Sequence, residues 1–373
     1  MKQNELKPIR FIKNDFILFA FFILFVILTM LFPWQIAKYS SFVDWRAIAT
    51  LAGLLMITTG LKESEYFNLF SRKILEKLKD ERNLAIFLIS ISIIFSTFLT
   101  NDVTLFIVVP LTLSFQNIIK IDFSKLIIFE AISVNAGSAL TPIGNPQNIF
   151  LWHKWGISFI AFMIKMIPLV TVLIAILLIF ALIFFKSKKI EFLDKINENG
   201  VRRNLFISSI TMFVIYIVSL QLKQFYFILP FIFLFYLIFY RKDVLPKVDW
   251  LLLLLFIIIF IDFRVLSSIP VIYEGIHKLL ELEHTKSVFL FSAFISQLIS
   301  NVPASVFVSK FSNCWLGITY GVNIGGNGLA IASLANVIAL RMAKNKKIWI
   351  DFHKYSIPYF LITLIIIYAF FVI

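Results

Sequence analysis

Long apolar stretches recur along the whole chain, and short basic tracts separate them. A helix that spans a bilayer needs about 20 mostly apolar residues, with a range of about 17–25. Stretches near or above this length predict about nine full spans, at residues 16–33, 45–61, 126–151, 157–185, 204–222, 225–240, 249–265, 315–341 and 356–373. The sequence therefore predicts an all-α polytopic membrane protein.

The composition agrees with this fold class. Charged residues make up 15% of the chain, whereas soluble domains carry about 25%. The net charge of +14 comes from Lys and Arg residues that stand between the apolar stretches, as the positive-inside rule describes. We therefore expect the lipid bilayer, and not a nucleic acid, as the partner of these basic tracts. Cys314 is the only cysteine, so no disulfide can form within the chain.

Two further apolar segments are interrupted by polar residues. Residues 84–117 are interrupted at Thr100-Asn101-Asp102, and residues 287–311 are interrupted at Ser300-Asn301-Val302-Pro303. Each segment is too long for one span. We expect each to be a re-entrant hairpin that enters and leaves the membrane on the same side.

The basic residues then predict an orientation. With both hairpins re-entrant, the Lys- and Arg-rich loops around residues 62–82, 186–203, 241–247 and 341–347 all lie on one side. The positive-inside rule makes that side the cytoplasm. The N-terminus is then cytoplasmic and the C-terminus lies outside. Segments 62–82 and 266–286 are expected to be amphipathic and to lie along opposite membrane interfaces.

The chain also contains an internal duplication. Val43-Asp44-Trp45 recurs as Val248-Asp249-Trp250, and Ser96–Asn101 matches Ser296–Asn301 at an offset of 200 residues. Asn135-Ala-Gly137 matches Asn323-Ile-Gly325, and continuing this match without gaps places Gly144–Asn148 opposite Ala332–Asn336. We expect two inverted-topology repeats, a hallmark of secondary transporters. The predicted parts are an N-terminal repeat 1–185 (hairpin 84–117, broken helix 126–151), a cytoplasmic linker and connecting span 186–222, and a C-terminal inverted repeat 223–373 (hairpin 287–311, broken helix 315–341).

Polar and small residues gather at these interruptions. A helix break frees backbone N–H and C=O groups, which hydroxyl and amide side chains can satisfy or use to bind an ion. The alternative is that they are packing motifs with satisfied side chains. The candidate substrate- and ion-binding residues are Ser96, Thr100, Asn101, Asp102, Thr104, Asn135, Gly137, Thr141, Gly144, Asn145, Asn148, Ser296, Ser300, Asn301, Asn323, Gly325, Asn327, Ser333 and Asn336.

Asp102 is the only acid among these motifs, and Val302 takes its place in the second copy. An ionisable residue at membrane depth is a functional candidate. Its carboxylate can carry a proton, or it can complete a Na⁺ site with Ser96 and Asn101. The alternative is a cap on the second hairpin arm. We expect structural roles for Glu130 and Asp262, paired with Arg264 or a lysine.

At these motifs the chain resembles the ion transporter superfamily, which includes citrate and dicarboxylate transporters, arsenite permeases and one class of Na⁺/H⁺ antiporters. The chain is similar to compact inner-membrane proteins of the citrate transporter family. The resemblance covers nearly the whole chain. It implies a scaffold domain, a mobile transport domain that holds both hairpins and both broken helices, a homodimer, and an elevator-type movement.

In Na⁺-coupled dicarboxylate members, Ser-Asn-Thr motifs at both hairpin tips bind Na⁺ and substrate. Asn101 and Asn301 match that motif, whereas the third position is Asp102 at one tip and Val302 at the other. The Asn-Asp pair is more similar to the arsenite-permease and antiporter branches.

Three functions follow as hypotheses. The first is a permease for an anion, a carboxylate or inorganic oxyanion, coupled to H⁺ or Na⁺ by elevator-type alternating access in a bacterial-type inner membrane. The second is a Na⁺/H⁺ antiporter. The third is a non-transporting membrane scaffold. An enzyme is not expected, because no nucleophile–base pair shares a segment. No resident cofactor is expected beyond the coupling ion.

Overall fold

A computed structural model describes residues 16–65, 78, 80–191, 202–221, 225–269 and 285–370. Within these ranges the chain is helical and forms no strands, apart from one isolated bridge between Asp80 and Lys189. Several helices are strongly apolar, as a polytopic membrane protein requires. The expected interfacial segments 62–82 and 266–286 fall mostly outside the described residues.

Sixteen α-helices are named here in chain order over the described residues. They are α1 Phe16–Leu31, α2 Tyr39–Phe42, α3 Trp45–Glu63, α4 Glu81–Phe98, α5 Asn101–Ser114, α6 Phe123–Ser138, α7 Pro146–Trp155, α8 Phe159–Phe184, α9 Arg203–Gln221, α10 Phe225–Phe239, α11 Trp250–Ser267, α12 Thr285–Ile299, α13 Asn301–Val308, α14 Trp315–Gly325, α15 Leu334–Met342 and α16 Ile348–Phe370. Short 3₁₀ helices lie at Pro33–Lys38, Phe115–Asn117, Leu245–Lys247 and Ala330–Ala332.

Length and composition identify three described helices that could cross a bilayer: α4, α8 and α16. A fourth candidate is the pair Leu18–Leu31 and Pro33–Phe42, which is bent by 111°. Other apolar helices, such as α5 and α12, are shorter. The count of nine spans and the re-entrant course of the two hairpins therefore stay predictions.

The chain divides into two compact units, and each is assembled from both halves of the sequence. The first unit comprises Met1–Gly60 and Ile207–Lys278, and the second comprises Leu61–Phe206 and Leu279–Ile373. All four predicted hairpin and broken-helix segments lie in the second unit. The repeat boundaries at residues 185 and 223 describe a duplication in the sequence, and they stay a prediction.

The first unit is held together by aromatic side chains against small residues. Helix α1 packs on α11, where Phe21 meets Phe263 edge to face at 5.9 Å between ring centroids. Tyr216 of α9 donates from its hydroxyl to the carbonyl oxygen of Ala49 at 2.8 Å. Gly53 makes room for this ring, because a Cβ there would lie 2.3 Å from its Cζ. Asp249 caps α11 by accepting from the amide of Leu252.

The second unit brings helices together through glycines. Gly317, Gly321 and Gly325 follow one another at four-residue spacing on α14, which packs on α12. A Cβ at Gly321 would lie 2.4 Å from the carbonyl oxygen of Phe289. Small residues at such spacing let two backbones approach closely. Helix α6 packs on α4 in the same way at Gly137.

Candidate functional site

Four junctions between helices in the second unit carry the polar motifs. Helix α4 ends at Phe98 and α5 begins at Asn101, and α12 ends at Ile299 with α13 beginning at Asn301. These two junctions are called the first tip and the second tip. Helix α6 is separated from α7 by residues 139–145, and α14 from α15 by residues 326–333. These are called the first break and the second break.

Asparagine side chains join the two breaks directly. Asn323 of α14 donates from Nδ2 to Oδ1 of Asn148 at 2.8 Å and to the carbonyl oxygen of Thr319 at 2.8 Å. Its Oδ1 accepts from Nδ2 of Asn145 at 3.0 Å. The Oδ1 of Asn145 in turn accepts from the amide of Asn148 and so caps α7.

An equivalent set of hydrogen bonds joins α6 to the second break and to α15. Asn135 of α6 donates from Nδ2 to Oδ1 of Asn336 at 2.9 Å and to the carbonyl oxygen of Gly326 at 3.2 Å. Its Oδ1 accepts from the hydroxyl of Ser333 at 3.2 Å. Asn336 also donates to Gly326, at 2.9 Å.

Freed carbonyl oxygens of the first break are satisfied by one side chain. Nδ2 of Asn148 lies 3.0–3.4 Å from the carbonyl oxygens of Ser138, Ala139 and Thr141. The hydroxyl of Thr141 donates back to the carbonyl oxygen of Thr97 at 2.7 Å. These groups are buried and hydrogen-bonded. Their first role is therefore to satisfy the backbone groups that the helix breaks leave without partners in an apolar surrounding.

Glycine at three of the candidate positions serves packing. A Cβ would lie 2.4 Å from Oγ of Ser96 at Gly137, 2.2 Å from the carbonyl oxygen of Ser138 at Gly144, and 2.7 Å from that of Ala293 at Gly325. Ser296 uses its hydroxyl within its own helix, donating to the carbonyl oxygen of Ser292 at 2.7 Å.

The first tip is closed by its own hydrogen bonds. The side chain of Thr100 accepts from the amide of Val103 and so is the N-cap of α5. The amide of Asn101 donates to the carbonyl oxygen of Gly144 at 3.0 Å, and its Oδ1 accepts from the amide of Asp102 at 2.9 Å. Asp102 is therefore in the first turn of α5 and is not its cap.

Two side chains at the first tip have oxygen atoms without a hydrogen-bond partner among the described residues, and these atoms can bind a ligand. Asp102 is half-buried, and its carboxylate makes no hydrogen bond or ion pair with the described residues. The hydroxyl of Thr104, one turn further along α5, is fully buried and has no partner among them.

The second tip differs because its helix start is not capped. Ser300 has φ 70° and ψ 153° and makes no side-chain cap. Its buried Oγ has no partner among the described residues. Residues other than glycine rarely adopt this backbone conformation, and where they do it is often at a ligand site. The backbone N–H groups of Asn301 and Val302 make no hydrogen bond within the described chain, and Pro303 has no backbone N–H.

Asn327 lies in the second break and adds further polar groups without hydrogen-bond partners. Its side chain is fully buried, and both its Nδ2 and Oδ1 lack a partner within the described chain. The second tip approaches the same break, because a Cβ at Gly326 would lie 2.8 Å from Nδ2 of Asn301. Buried polar groups without partners are costly in protein interiors. These are therefore the strongest candidates to contact a ligand.

The expected Na⁺ ligands fit unequally. The carboxylate of Asp102 offers oxygens with no other partner, which a hard cation prefers. The hydroxyl of Ser96 instead faces α6 at Gly137 and donates to the carbonyl oxygen of Ile93 at 3.1 Å. Oδ1 of Asn101 is occupied by the amide of Asp102. Asp102 is thus the residue of this set that fits a cation, and no cluster of three His, Cys, Asp or Glu residues occurs in the described chain.

The two buried acids do not form the expected ion pairs. Glu130 of α6 accepts from the hydroxyl of Thr112, and its second oxygen has no partner among the described residues. Asp262 of α11 is fully buried, and both of its oxygens lack a partner there. The prediction of an Arg264 or lysine partner is therefore wrong for both. The neighbours of a buried acid are set by how the helices pack, which sequence spacing alone does not give.

Gln297 contacts the second break and was not among the residues predicted from the sequence. It lies on α12 and hydrogen-bonds the second break at three points. A signal was present, because Gln297 follows Ser296 where Thr97 follows Ser96 in the matching segment. A long amide at that depth in an apolar helix needs partners, and the freed backbone of the break is where they are found.

The chain is similar to membrane proteins of several organisms. A family model described as citrate transporter matches residues 10–311. The chain is 38% identical over 346 residues to the inner membrane protein YbiR of Escherichia coli, covering 93% of this chain and 92% of that protein. It is 37% identical over 340 residues to an uncharacterized transporter of Methanocaldococcus jannaschii, covering 89% and 90%. A 46 kDa membrane protein of Mycobacterium leprae is 24% identical over 361 residues, covering 86% and 83%.

Proposed function

Because the chain belongs to the citrate transporter family, we propose that this integral membrane protein is a secondary active permease for a small anion. The substrate class is a carboxylate or an inorganic oxyanion, and the coupling ion is H⁺ or Na⁺. Family membership supports transport as the activity and gives no support to an enzyme. The substrate class and the coupling are inferred from the chemistry of the two tips.

The uncapped start of α13 is the observation that carries the proposal. A helix N-terminus with free amides and a positive dipole end binds anions. At the second tip the backbone N–H groups of Asn301 and Val302 and the hydroxyl of Ser300 all lack a hydrogen-bond partner within the described residues. The amide group of Asn327 lies in the adjoining break. These are donors, and they form no ion pair, which suits a partly desolvated oxyanion.

The first tip supplies the coupling group in this proposal. Asp102 is the only ionisable side chain in residues 96–104 and 296–304. A carboxylate cannot donate to an anionic substrate unless it is protonated, and it can bind a cation when ionised. Asp102 thereby links anion binding to the uptake of one positive charge, carried by H⁺ or Na⁺.

Alternating access in this proposal is a movement of the second unit, which contains both tips and both breaks. The interlocked asparagines join the two breaks, and in this proposal substrate and ion travel together with them. Broken helices near the midplane that move against a fixed scaffold are a known arrangement in secondary transporters. The first unit, which lacks these motifs, is the proposed scaffold.

A Na⁺/H⁺ antiporter is the second candidate, and the open carboxylate of Asp102 favours it. In that case Na⁺ and H⁺ compete for Asp102, and no anion is required. The two candidates are separated by whether an anion is needed for flux.

A thermal-stability screen of the purified, detergent-solubilised protein tests the proposal. The panel holds citrate, dicarboxylates, sulfate, phosphate, arsenite and Na⁺ at two pH values. A ligand at 100 times its Kd stabilises by about 2.7 kcal/mol. Stabilisation by one anion, increased by Na⁺ or low pH, is expected, followed by uptake of that anion into proteoliposomes.

Other results of this screen contradict the permease. Stabilisation by Na⁺ or pH alone, with cation flux that needs no anion, would establish the antiporter. The Ser300→Ala variant is the site control, because it removes the unpartnered hydroxyl of the second tip, and Asn345→Ala is the surface control because Asn345 is exposed. Equal anion stabilisation of both variants would exclude the second tip as the anion site.

A further inference from the structure

The carboxamide of Gln297 fills the space that the freed backbone of the second break encloses. Its Nε2 donates to the carbonyl oxygens of Gly325 at 2.8 Å and Asn327 at 2.9 Å. Its Oε1 accepts from the amide of Leu329 at 2.8 Å. Gln297 is buried, so these hydrogen bonds are shielded from water.

Carbonyl oxygens that converge at an unwound helix are the usual ligands for Na⁺ in transporters of this kind. Here the same oxygens of Gly325 and Asn327 already converge on one nitrogen within hydrogen-bonding distance. A cation and an amide NH₂ group cannot occupy that point together. A cation could enter only by displacing Gln297, which would leave the buried amide and the amide of Leu329 without partners, at a cost in free energy.

The backbone of the second break is fitted to this side chain. Gly328 has φ +100°, and a Cβ there would lie 2.4 Å from Oε1 of Gln297. Any other residue at 328 would both strain the backbone and collide with the carboxamide. The amide of Gly328 is itself held by the hydroxyl of Ser356 at 2.9 Å. The backbone conformation of the second break therefore depends on the carboxamide of Gln297 being in this position.

The first break has no such group at the matching position, and its carbonyl oxygens at Ser138, Ala139 and Thr141 are contacted instead by Nδ2 of Asn148 from α7. Thr97 stands where Gln297 stands in the second copy. Its hydroxyl donates to Ile93 within its own helix at 2.9 Å and reaches the carbonyl oxygen of Gly137 only at 3.3 Å. Asp102 also lies at the first tip, whereas the second tip has no acid. The two copies therefore differ in their capacity for a positive charge.

We infer that Gln297 takes the place of a bound cation at the second break, so that the chain binds at most one coupling cation, at the first tip. The neutral NH₂ group of Gln297 donates to the two carbonyl oxygens that a metal ion would otherwise bind. The Na⁺ site that a symmetric duplication would place here does not fit the residues present. Because Gln297 limits coupling only in an ion-coupled protein, this inference rests on the proposed function.

Binding stoichiometry tests the inference without any measurement of transport. Equilibrium dialysis of the purified full chain against ²²Na⁺ should give no more than one Na⁺ per chain. Two Na⁺ per wild-type chain would overturn the inference. A chain that transports no anion and still binds at most one Na⁺ would contradict the proposed function and leave Gln297 in its role.

Gln297→Glu is the informative variant because it keeps the shape and removes the donors. A carboxylate facing the oxygens of Gly325 and Asn327 needs a positive charge between them. The variant should bind one Na⁺ more than wild type and should gain thermal stability in NaCl relative to N-methylglucamine chloride at equal ionic strength. Gln116→Glu is the matched control, because Gln116 is exposed, and it should show no added Na⁺.

A folded Gln297→Glu variant with wild-type Na⁺ binding and no Na⁺-dependent stability would overturn the inference. If this variant fails to fold, the wild-type stoichiometry decides by itself.

Discussion

Asn323 donates from Nδ2 to Oδ1 of Asn148 at 2.8 Å, and this hydrogen bond joins two helix breaks that lie 175 residues apart in the chain. Asn135 and Asn336 make the matching bond at 2.9 Å. In the sequence match, Asn135 corresponds to Asn323 and Asn148 to Asn336. Each break is thus held by an asparagine from the helix that precedes the other break.

Asn323→Ala should lower the stability of the folded protein. It leaves Oδ1 of Asn148 and Nδ2 of Asn145 without one partner each in a buried site, and each such loss costs about 1–3 kcal/mol. Thermal unfolding in detergent measures the change against Asn345→Ala, an exposed asparagine. Equal melting temperatures for the two variants would show that the asparagine cluster does not hold the breaks.

Asn101→Ala and Asn301→Ala should behave in the opposite way. Nδ2 of neither side chain makes a hydrogen bond within the described residues, and the only described side-chain bond that is lost runs from the amide of Asp102 to Oδ1 of Asn101, so the fold loses little. We expect melting temperatures near that of wild type and loss of flux in proteoliposomes. Wild-type flux in both variants would remove the tips from the transport site.

Asp102→Asn should abolish the pH dependence of flux. The change keeps the shape of the side chain and removes the only ionisable group of either tip. Initial uptake rates across a pH series, for wild type and variant in parallel, provide the measurement. A variant with an unchanged pH profile would assign Asp102 a structural role in the first turn of α5.

Gly321→Ala should destabilise the second unit, although alanine favours helices more than glycine does by about 1 kcal/mol. The new Cβ would lie 2.4 Å from the backbone oxygen of Phe289, so α12 and α14 must separate, at a cost of about 1–3 kcal/mol. Gly317→Ala is the control on the same face, because its nearest contact is 3.0 Å. The clash outweighs the propensity only at Gly321, and equal melting temperatures would contradict this packing.

Thr112→Val should destabilise the protein, whereas Thr112→Ser should not. The hydroxyl of Thr112 is the only partner of Glu130 among the described residues, and valine removes it without changing the volume much. A loss of about 1–3 kcal/mol is expected from the orphaned carboxyl group. If thermal unfolding showed no difference between the two variants, Glu130 would have to find another partner.

The sequence by itself determined the class of the protein and the location of its polar interruptions. Apolar stretches of spanning length admit few alternatives in a bilayer, and polar residues in such stretches mark helix ends because freed peptide groups need partners. The family followed from the same motifs. The roles of individual polar residues could not be predicted, because an asparagine at a break can equally bind a ligand or another asparagine.

Only the tertiary structure decided between those roles. It placed Asn135, Asn145, Asn148, Asn323 and Asn336 in hydrogen bonds across the two breaks, and it left Asp102, Ser300 and Asn327 with unused capacity. It also placed Gln297 on the carbonyl oxygens of the second break, and it put Glu130 beside a threonine where a base was expected. These outcomes depend on contacts between segments far apart in the chain, and the distances and angles of those contacts are set by helix packing, which local sequence does not encode.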